Sequence, residues 1–91
     1  KKDSEEGALK VNLEAAREAA RQIRLRNLSG IILVDFINQK DEENTQKLLH
    51  EFKYCLSQDP VQTTLVDMTA LGLVEVTRKK IRRPLYEEER Q

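Results

Sequence analysis

A single carboxylate, Asp35, interrupts the most apolar stretch of this chain, which reads Gly-Ile-Ile-Leu-Val-Asp-Phe-Ile over residues 30–37. Burying an ionised carboxylate without a partner is costly, so either this end of the segment is open to water or a positive group lies against it. One interpretation is that Asp35 orients the following loop through hydrogen bonds to the backbone near Asn38 and Lys40. The other is that it binds Mg²⁺, which prefers one or two carboxylates together with waters and substrate phosphates.

A basic cluster at residues 78–83 is the second feature that could do chemistry. It reads Arg-Lys-Lys-Ile-Arg-Arg, and its cations are Arg78, Lys79, Lys80, Arg82 and Arg83. Runs of this kind are either a solvated end or a contact for a polyanion, and the phosphate backbone of a nucleic acid is the usual polyanion. A metal carboxylate combined with phosphate-binding cations indicates phosphodiester chemistry.

Three further arginines, Arg17, Arg21 and Arg24, fall within about 60° of one another if the segment is helical, at 100° per residue. Glu14 and Glu18 precede the first two by three residues and can form ion pairs with them, which favours a solvated helix face. Arg17 and Arg21 are nevertheless like charges four residues apart, an arrangement that an anion would stabilise. Contact of this arginine face with an anion or an acidic partner is therefore an alternative hypothesis.

The elements that must position these residues follow from hydrophobic periodicity. A first helix is predicted over residues 12–27, with Asn12 as its N-cap and the Asn-Leu-Ser-Gly turn as its end. The apolar run 31–37 does not alternate, which predicts a strand buried on both faces. A second helix begins after its N-cap, Asp41, and stops at the Asp-Pro pair 59–60.

Two more strands are predicted, at residues 61–67 and 71–79, separated by a short Thr-Ala-Leu-Gly link. The order helix, strand, helix, strand, strand indicates an α/β fold with a small mixed sheet of about three strands. The first two strands are expected to be parallel neighbours joined by a crossover helix, and the third to return antiparallel as a hairpin. Asp35 and Asp67 then end neighbouring strands, at the sheet edge where α/β proteins bind ligands.

Composition limits the classes of protein that fit. The chain has 91 residues, 38% apolar and 35% charged, with no net charge, so its core is small and it is not a uniformly basic nucleic-acid binder. No segment is apolar enough to span a membrane. Its one cysteine, Cys55, forms neither an internal disulfide nor a metal cage, which suits a reducing cytoplasm. The polar lead 1–11 is expected to be disordered.

Two separated blocks of sequence carry a resemblance to a known family. The first contains Asn-Leu-Glu-Ala-Ala, Arg-Gln-Ile-Arg-Leu-Arg and Gly-Ile-Ile-Leu-Val-Asp-Phe-Ile, and the second reads Leu-Gly-Leu-Val-Glu-Val-Thr-Arg-Lys. In order and spacing these blocks resemble the catalytic region of the ribonuclease E/G family, bacterial endoribonucleases that cleave single-stranded RNA. The resemblance covers residues 12–85 and implies that 12–83 form part of a deoxyribonuclease-I-like catalytic subdomain.

The resemblance also implies a cofactor and a role for Asp35. The aspartate of the Asp-Phe-Ile motif, here Asp35, is one of two that hold the catalytic Mg²⁺ in that family. The second belongs to an Asp-x-Asn strand that precedes the Asn-Leu-Glu-Ala-Ala helix, and no such motif occurs in this chain. Many members have an acid three residues after the metal aspartate, where this chain has Asn38. The implied parent is a cytoplasmic bacterial homo-oligomer.

Zinc is the other metal that the resemblance implies for the parent. The family's zinc-binding cysteine pair follows the region that corresponds to the charged tail 84–91, and its ligands are not on this chain. The chain is therefore expected to be a catalytically silent piece of the enzyme, with a tendency to self-associate. The alternative is a non-catalytic α/β signalling module of the anti-sigma-factor-antagonist type, although that reading explains neither the basic cluster nor the second block.

Overall fold

The computed structural model describes residues 2–81, with side chains from residue 4 onward. Two helices and three strands follow one another in the predicted order α-β-α-β-β. They are α1 (Lys2–Leu25), β1 (Gly30–Asp35), α2 (Glu42–Ser57), β2 (Thr63–Met68) and β3 (Leu73–Arg78). Arg82, Arg83 and the tail 84–91 lie outside the described residues. No helix within residues 2–81 is long and apolar enough to cross a membrane.

Helix α1 begins ten residues before the predicted start, so the lead 2–11 that was expected to be disordered is helical. Asn12 is consequently not an N-cap but a buried residue inside the helix, 1% exposed. It continues the buried face formed by Ala16, Ala20 and Ile23, whose spacing places them on one side of a helix. The small alanines allow the helix backbone to lie close to the rest of the core.

The end of α1 has the turn chemistry that the sequence predicted. Asn27 adopts a left-handed backbone conformation with φ of 52°. The Leu28 amide donates to the Ile23 carbonyl at 3.0 Å, and the Asn27 amide donates to the Arg24 carbonyl at 3.1 Å. This pair of bonds is a Schellman motif, which satisfies carbonyls at the helix end and turns the chain towards β1.

Helix α2 begins at its predicted N-cap and supplies the centre of the core. The Asp41 side chain accepts a hydrogen bond from the Glu43 amide at 2.9 Å. On the buried face, Leu48, Phe52 and Leu56 are at most 3% exposed. The Phe52 ring meets Phe36, the residue after β1, edge to face with centroids 5.4 Å apart. Phe36 thereby anchors the segment that follows Asp35 to the core.

The order of strands differs from the prediction, because β3 lies between β1 and β2. Both pairings are antiparallel, so the sheet is antiparallel rather than mixed. β1 and β2 run in the same direction, as expected for strands joined by a crossover helix, but they are not hydrogen-bonded neighbours. The short link between β2 and β3 forms the predicted hairpin, and the other edge of β3 then pairs with β1.

Strand β1 is buried on one face only, although its unbroken apolar sequence predicted burial on both. Ile32 and Val34 pack against the core cluster, in register with the fully buried Val76 and Val74 of β3. Ile31 and Leu33 point to the opposite face and are 71% and 59% exposed. The helices cover one face of the sheet and, within the described residues, leave this second apolar face open.

Candidate functional site

Asp35 is the last residue of β1, and its side chain is exposed. In register it lies opposite Leu73, the first residue of β3. Among the described residues its carboxylate makes no hydrogen bond or ion pair, so it does not orient the following loop. Water access at the end of the strand explains how an apolar segment accommodates this charge.

The loop after Asp35 is held by helix α1 instead. Asn12 forms two hydrogen bonds with the backbone of Ile37, one as acceptor and one as donor, each 2.9 Å long. Further along the loop, the Gln39 side chain donates to the Glu5 carbonyl at 2.7 Å. Sequence reasoning missed this role of Asn12. The sequence does contain an indication of this role, because Asn12 is a polar residue on the same helix face as Ala16 and Ala20. The interpretation of Asn12 as an N-cap accounted for its polarity in another way.

Asp67 does not lie beside Asp35, contrary to the predicted arrangement of neighbouring strand ends. It is on β2, separated from β1 by β3, and two adjacent strand spacings put the backbones roughly 10 Å apart. Its carboxylate accepts a hydrogen bond from the Met68 amide at 2.8 Å. Asp67 and Asn38 line an open groove of about 620 Å³ between α2 and β2.

Among the described residues, a metal ion at Asp35 would have one carboxylate ligand. Within the described residues no three His, Cys, Asp or Glu side chains cluster in a way that could hold a metal ion. A lone, exposed carboxylate at the end of a strand is nonetheless a ligand suited to Mg²⁺, which needs few protein oxygens when waters and phosphates complete its shell. The remaining ligands of such an ion must come from elsewhere.

The predicted arginine face lies on the exposed side of α1, and two of its three members are paired. Arg17 forms an ion pair with Glu51 of α2, with Nε 3.0 Å from the carboxylate. Arg21 pairs with Glu18 at 3.1 Å. Arg24, in the last turn, is exposed and forms no ion pair among the described residues. The expected pairing of Arg21 with Glu18 is confirmed, whereas Arg17 reaches α2 rather than Glu14.

Arg78, assigned from sequence to the RNA-binding cluster, is used inside the protein. It is 5% exposed. Its guanidinium donates to Asp59 at 2.8 Å through Nε, and to Asn27 Oδ1 and the Leu28 carbonyl at 2.8 and 2.9 Å through Nη1. These bonds join the loops before β1 and before β2. Such a fully engaged, buried guanidinium is not available to a phosphate.

The remaining described cations of the cluster, Lys79 and Lys80, are exposed. They follow the end of β3, where Arg78 lies opposite Gly30, the first residue of β1. Asp35 is at the other end of β1, which is roughly 17 Å away at the usual rise per strand residue. The sequence analysis combined Asp35 and the basic cluster in one reaction, but the described members of the cluster follow the end of β3 that lies farthest from Asp35, as the predicted antiparallel direction of β3 already implied.

Cys55 has no nucleophilic environment. Its half-buried thiol lies 3.7 Å from a carboxylate oxygen of Glu51. Burial raises the pKa of the Cys55 thiol, and the negative charge of Glu51 raises it further. The protonated thiol is a poor nucleophile. Cys55 packs against the edge of the core.

The chain is similar in sequence to a family of known proteins. Residues 1–81 match the sequence model of the ribonuclease E/G family. Ribonuclease G of Escherichia coli strain K12 is 49% identical over 71 residues, which is 78% of this chain and 14% of the relative. Ribonuclease E of a Synechocystis species is 44% identical over 85 residues, which is 93% of this chain and 13% of the relative.

A plant protein extends the comparison beyond bacteria. The chloroplastic ribonuclease E/G-like protein of Arabidopsis thaliana is 44% identical over 78 residues, 86% of this chain and 8% of the relative. In all three relatives the match spans about one seventh of the length or less. These names give no support to the alternative of an anti-sigma-factor-antagonist module.

Proposed function

Because the chain belongs to the ribonuclease E/G family, we propose that it is the segment of a Mg²⁺-dependent endoribonuclease that supplies Asp35 as a metal-binding carboxylate. The proposed reaction is hydrolysis of phosphodiester bonds in single-stranded RNA, in RNA processing and decay. The observation that carries the proposal is the exposed carboxylate of Asp35 at the end of β1, in the Asp-Phe-Ile motif through which the chain resembles the family.

The contribution of Asp35 is to present a fixed negative charge outside the sheet. A bound Mg²⁺ supplies charge stabilisation to the phosphoryl oxygens and lowers the pKa of a coordinated water. The chain's own part is to hold the Asp35 carboxylate where it would ligate such an ion. The strand pairing with β3 and the anchored Phe36 make the backbone at Asp35 rigid, which a cation with strict geometry requires.

One carboxylate within the described residues supports only half of the proposed site. We infer that the second ligand is contributed by another part of the parent enzyme. The isolated chain then binds Mg²⁺ too weakly to cleave RNA, since few protein oxygens leave the ion mostly hydrated. A cytoplasmic location, a homo-oligomeric parent and a zinc link between its subunits are further parts of this proposal, supported by the resemblance to the family.

Contacts to single-stranded RNA are proposed for the exposed cations. Lys79 and Lys80, beyond the end of β3, and Arg24, in the last turn of α1, are accessible. Arg17 and Arg21 also face solvent, although each already has an acidic partner. The separation from Asp35 means that Lys79 and Lys80 would bind the RNA backbone several nucleotides from the cleaved bond. Arg78 is left out of this proposal because its donors are used internally.

The test of the proposed function is Asp35→Asn in the full-length enzyme. This substitution keeps the shape of the side chain and removes its charge, so the domain stays folded while Mg²⁺-dependent cleavage is abolished. Binding of Mn²⁺, followed by electron paramagnetic resonance, reports on the site without relying on turnover. Asp67→Asn is the matched control and leaves both readouts unchanged. Wild-type cleavage and Mn²⁺ binding by Asp35→Asn would show that the metal assignment is wrong.

A further inference from the structure

The backbone that follows Asp35 is bound by a buried side chain of α1. Asn12 Oδ1 accepts from the Ile37 amide at 2.9 Å, and Asn12 Nδ2 donates to the Ile37 carbonyl at 2.9 Å. One carboxamide thus satisfies both polar groups of a single residue, as a neighbouring strand does at a hydrogen-bonded position. Asn12 is 1% exposed, so its orientation is set by packing inside the helix layer.

The same helix also contacts the rest of the loop, through Glu5, which lies two turns before Asn12. Gln39, 9% exposed, donates to the Glu5 carbonyl at 2.7 Å and accepts from Asn12 Nδ2 at 3.4 Å. The Glu5 carboxylate accepts from the amides of Lys40 and Asp41 at 3.4 and 3.3 Å. Of the loop residues that α1 contacts, Ile37, the partner of Asn12, is the closest in sequence to Asp35.

Gly72 confines the segment from the side of β3. The Phe36 amide donates to the Gly72 carbonyl at 3.1 Å. A Cβ atom at Gly72 would lie 2.8 Å from the Phe36 carbonyl oxygen, so the two backbones are in direct contact. Phe36 and Ile37 are therefore held between a glycine of the β2–β3 turn and a buried asparagine of α1.

We propose that Asn12 is a positioning residue for the Asp35 carboxylate. This inference rests on the proposed function, in which Asp35 binds the metal ion. Because the Asp35 side chain has no partner of its own among the described residues, its direction depends on the backbone at the strand end. Asn12 fixes that backbone two residues later, and groups that orient a metal ligand contribute strongly to metal affinity.

A purely stabilising role for Asn12 makes a different prediction. A buried carboxamide with paired donor and acceptor also contributes to the stability of the fold. In that case a substitution lowers the fraction of folded protein, while the folded molecules bind metal normally. Metal affinity measured on folded protein separates the two roles, because positioning changes the affinity itself.

The experiment compares Asn12→Ala with the wild type in the full-length enzyme, below the temperature at which either unfolds. We expect the Mn²⁺ dissociation constant and the Mg²⁺ concentration for half-maximal cleavage to rise by about tenfold or more. Saturating metal restores part of the cleavage rate. Asp59→Asn is the control, since it weakens the fold at the opposite end of the sheet and leaves metal affinity unchanged. Unchanged metal affinity in folded Asn12→Ala overturns the inference.

A second variant decides the matter if Asn12→Ala does not fold. Asn12→Leu keeps the volume of the side chain and adds no charge, but it can neither accept from the Ile37 amide nor donate to the Ile37 carbonyl. A weakened metal affinity in this variant supports positioning, and a wild-type affinity contradicts it.

The Asp35→Asn variant distinguishes failure of the proposed metal site from failure of the positioning role of Asn12. If Asp35→Asn still binds Mn²⁺ normally, the metal assignment fails. If Asp35→Asn loses Mn²⁺ binding while the Asn12 variants keep wild-type affinity, only the positioning role of Asn12 is overturned.

Discussion

Arg78 and Asp59 form a buried ion pair in which Nε of the arginine lies 2.8 Å from Oδ2 of the aspartate and both side chains are 3% exposed. The guanidinium also binds Asn27 and the Leu28 carbonyl. Arg78 thereby connects the end of β3 to the turn after α1 and to the loop after α2. The sequence predicted that Arg78 contacts phosphate, but in the folded protein it joins three segments of the chain.

Removing the acidic partner of this pair is expected to destabilise the fold strongly. Asp59→Asn leaves the Arg78 charge buried without compensation, which typically costs about 3–5 kcal/mol of the free energy of unfolding. Urea denaturation followed by circular dichroism measures the loss. Glu18→Gln, which removes the partner of the exposed Arg21, is the control and is expected to change stability little. Equal effects of the two substitutions would contradict the structural role of Arg78.

The same pair predicts sensitivity to acid. Hydrogen bonds from Arg78 hold the pKa of the Asp59 carboxyl below its ordinary value, with a further contribution from the Val61 amide. Because the pKa is lower in the folded state, the stabilisation is complete above the unfolded-state pKa and is lost as the pH falls through the folded-state value. The difference in stability between wild type and Asp59→Asn should therefore shrink in acid. A difference independent of pH would argue against an ionised Asp59.

Gly72→Ala is expected to destabilise the protein more than Gly30→Ala. Both glycines have a left-handed backbone, with φ of 88° and 86°, so alanine is strained at either position. Only at Gly72 does the new Cβ meet another group, the Phe36 carbonyl oxygen at 2.8 Å, whereas nothing lies within 4 Å at Gly30. Chemical denaturation of the two variants isolates the cost of that clash. Equal destabilisation would mean that the β2–β3 turn moves away freely.

The exposed lysines after β3 are expected to contribute to RNA affinity through charge. Replacing Lys79 or Lys80 by Gln should lower the slope of log affinity against log salt for single-stranded RNA by about 0.7 for each phosphate that the protein no longer neutralises. Fluorescence anisotropy at several salt concentrations measures the slope. Lys53→Gln, on the exposed side of α2, is the control and leaves it unchanged. Slopes equal to that of the wild type in all three variants would assign Lys79 and Lys80 to solvation alone.

The 91-residue chain by itself is expected to be folded and catalytically silent. Its described residues offer one carboxylate at the proposed metal site and no cluster of three ligands. Incubation of the purified chain with a labelled single-stranded oligoribonucleotide in millimolar Mg²⁺ should give no cleavage beyond a metal-free control. Cleavage that disappears in the Asp35→Asn variant of the same chain would show that one carboxylate is enough.

Self-association of this chain is expected to involve β1. Within the described residues β1 is an edge strand, and Ile31 and Leu33 on its open face are 71% and 59% exposed. Unpaired strand edges with apolar side chains are templates for pairing with a second copy. Light scattering should show a mass that rises with concentration. The mass should fall in Leu33→Lys, where a charge replaces an exposed apolar side chain beside Glu75 of β3. A monomer at high concentration would rule this out.

Local patterns were sufficient for the order of the elements and for most of their ends, but not for the start of α1. The order of helices and strands, the Asp41 cap, the turn at Asn27 and the β2–β3 hairpin all depend on contacts between residues close in sequence. Asp35 was found because a charge in an apolar run is a local anomaly. Its exposed position at the end of β1 agrees with that signal, and its role in binding metal stays a prediction.

Long-range contacts decided the rest. The extension of α1 to Lys2 is accompanied by Glu5 binding the distant residues 39–41, and Asn12 is buried because it meets Ile37. Arg78 is not available to a phosphate because it binds Asp59 and Asn27, which lie on two other loops. The position of β3 between β1 and β2 separated Asp35 from Asp67, which the sequence had placed on neighbouring strand ends. Each of these outcomes depends on which strand edge pairs and which polar groups must be satisfied on burial, and neither is encoded in the periodicity of a single segment.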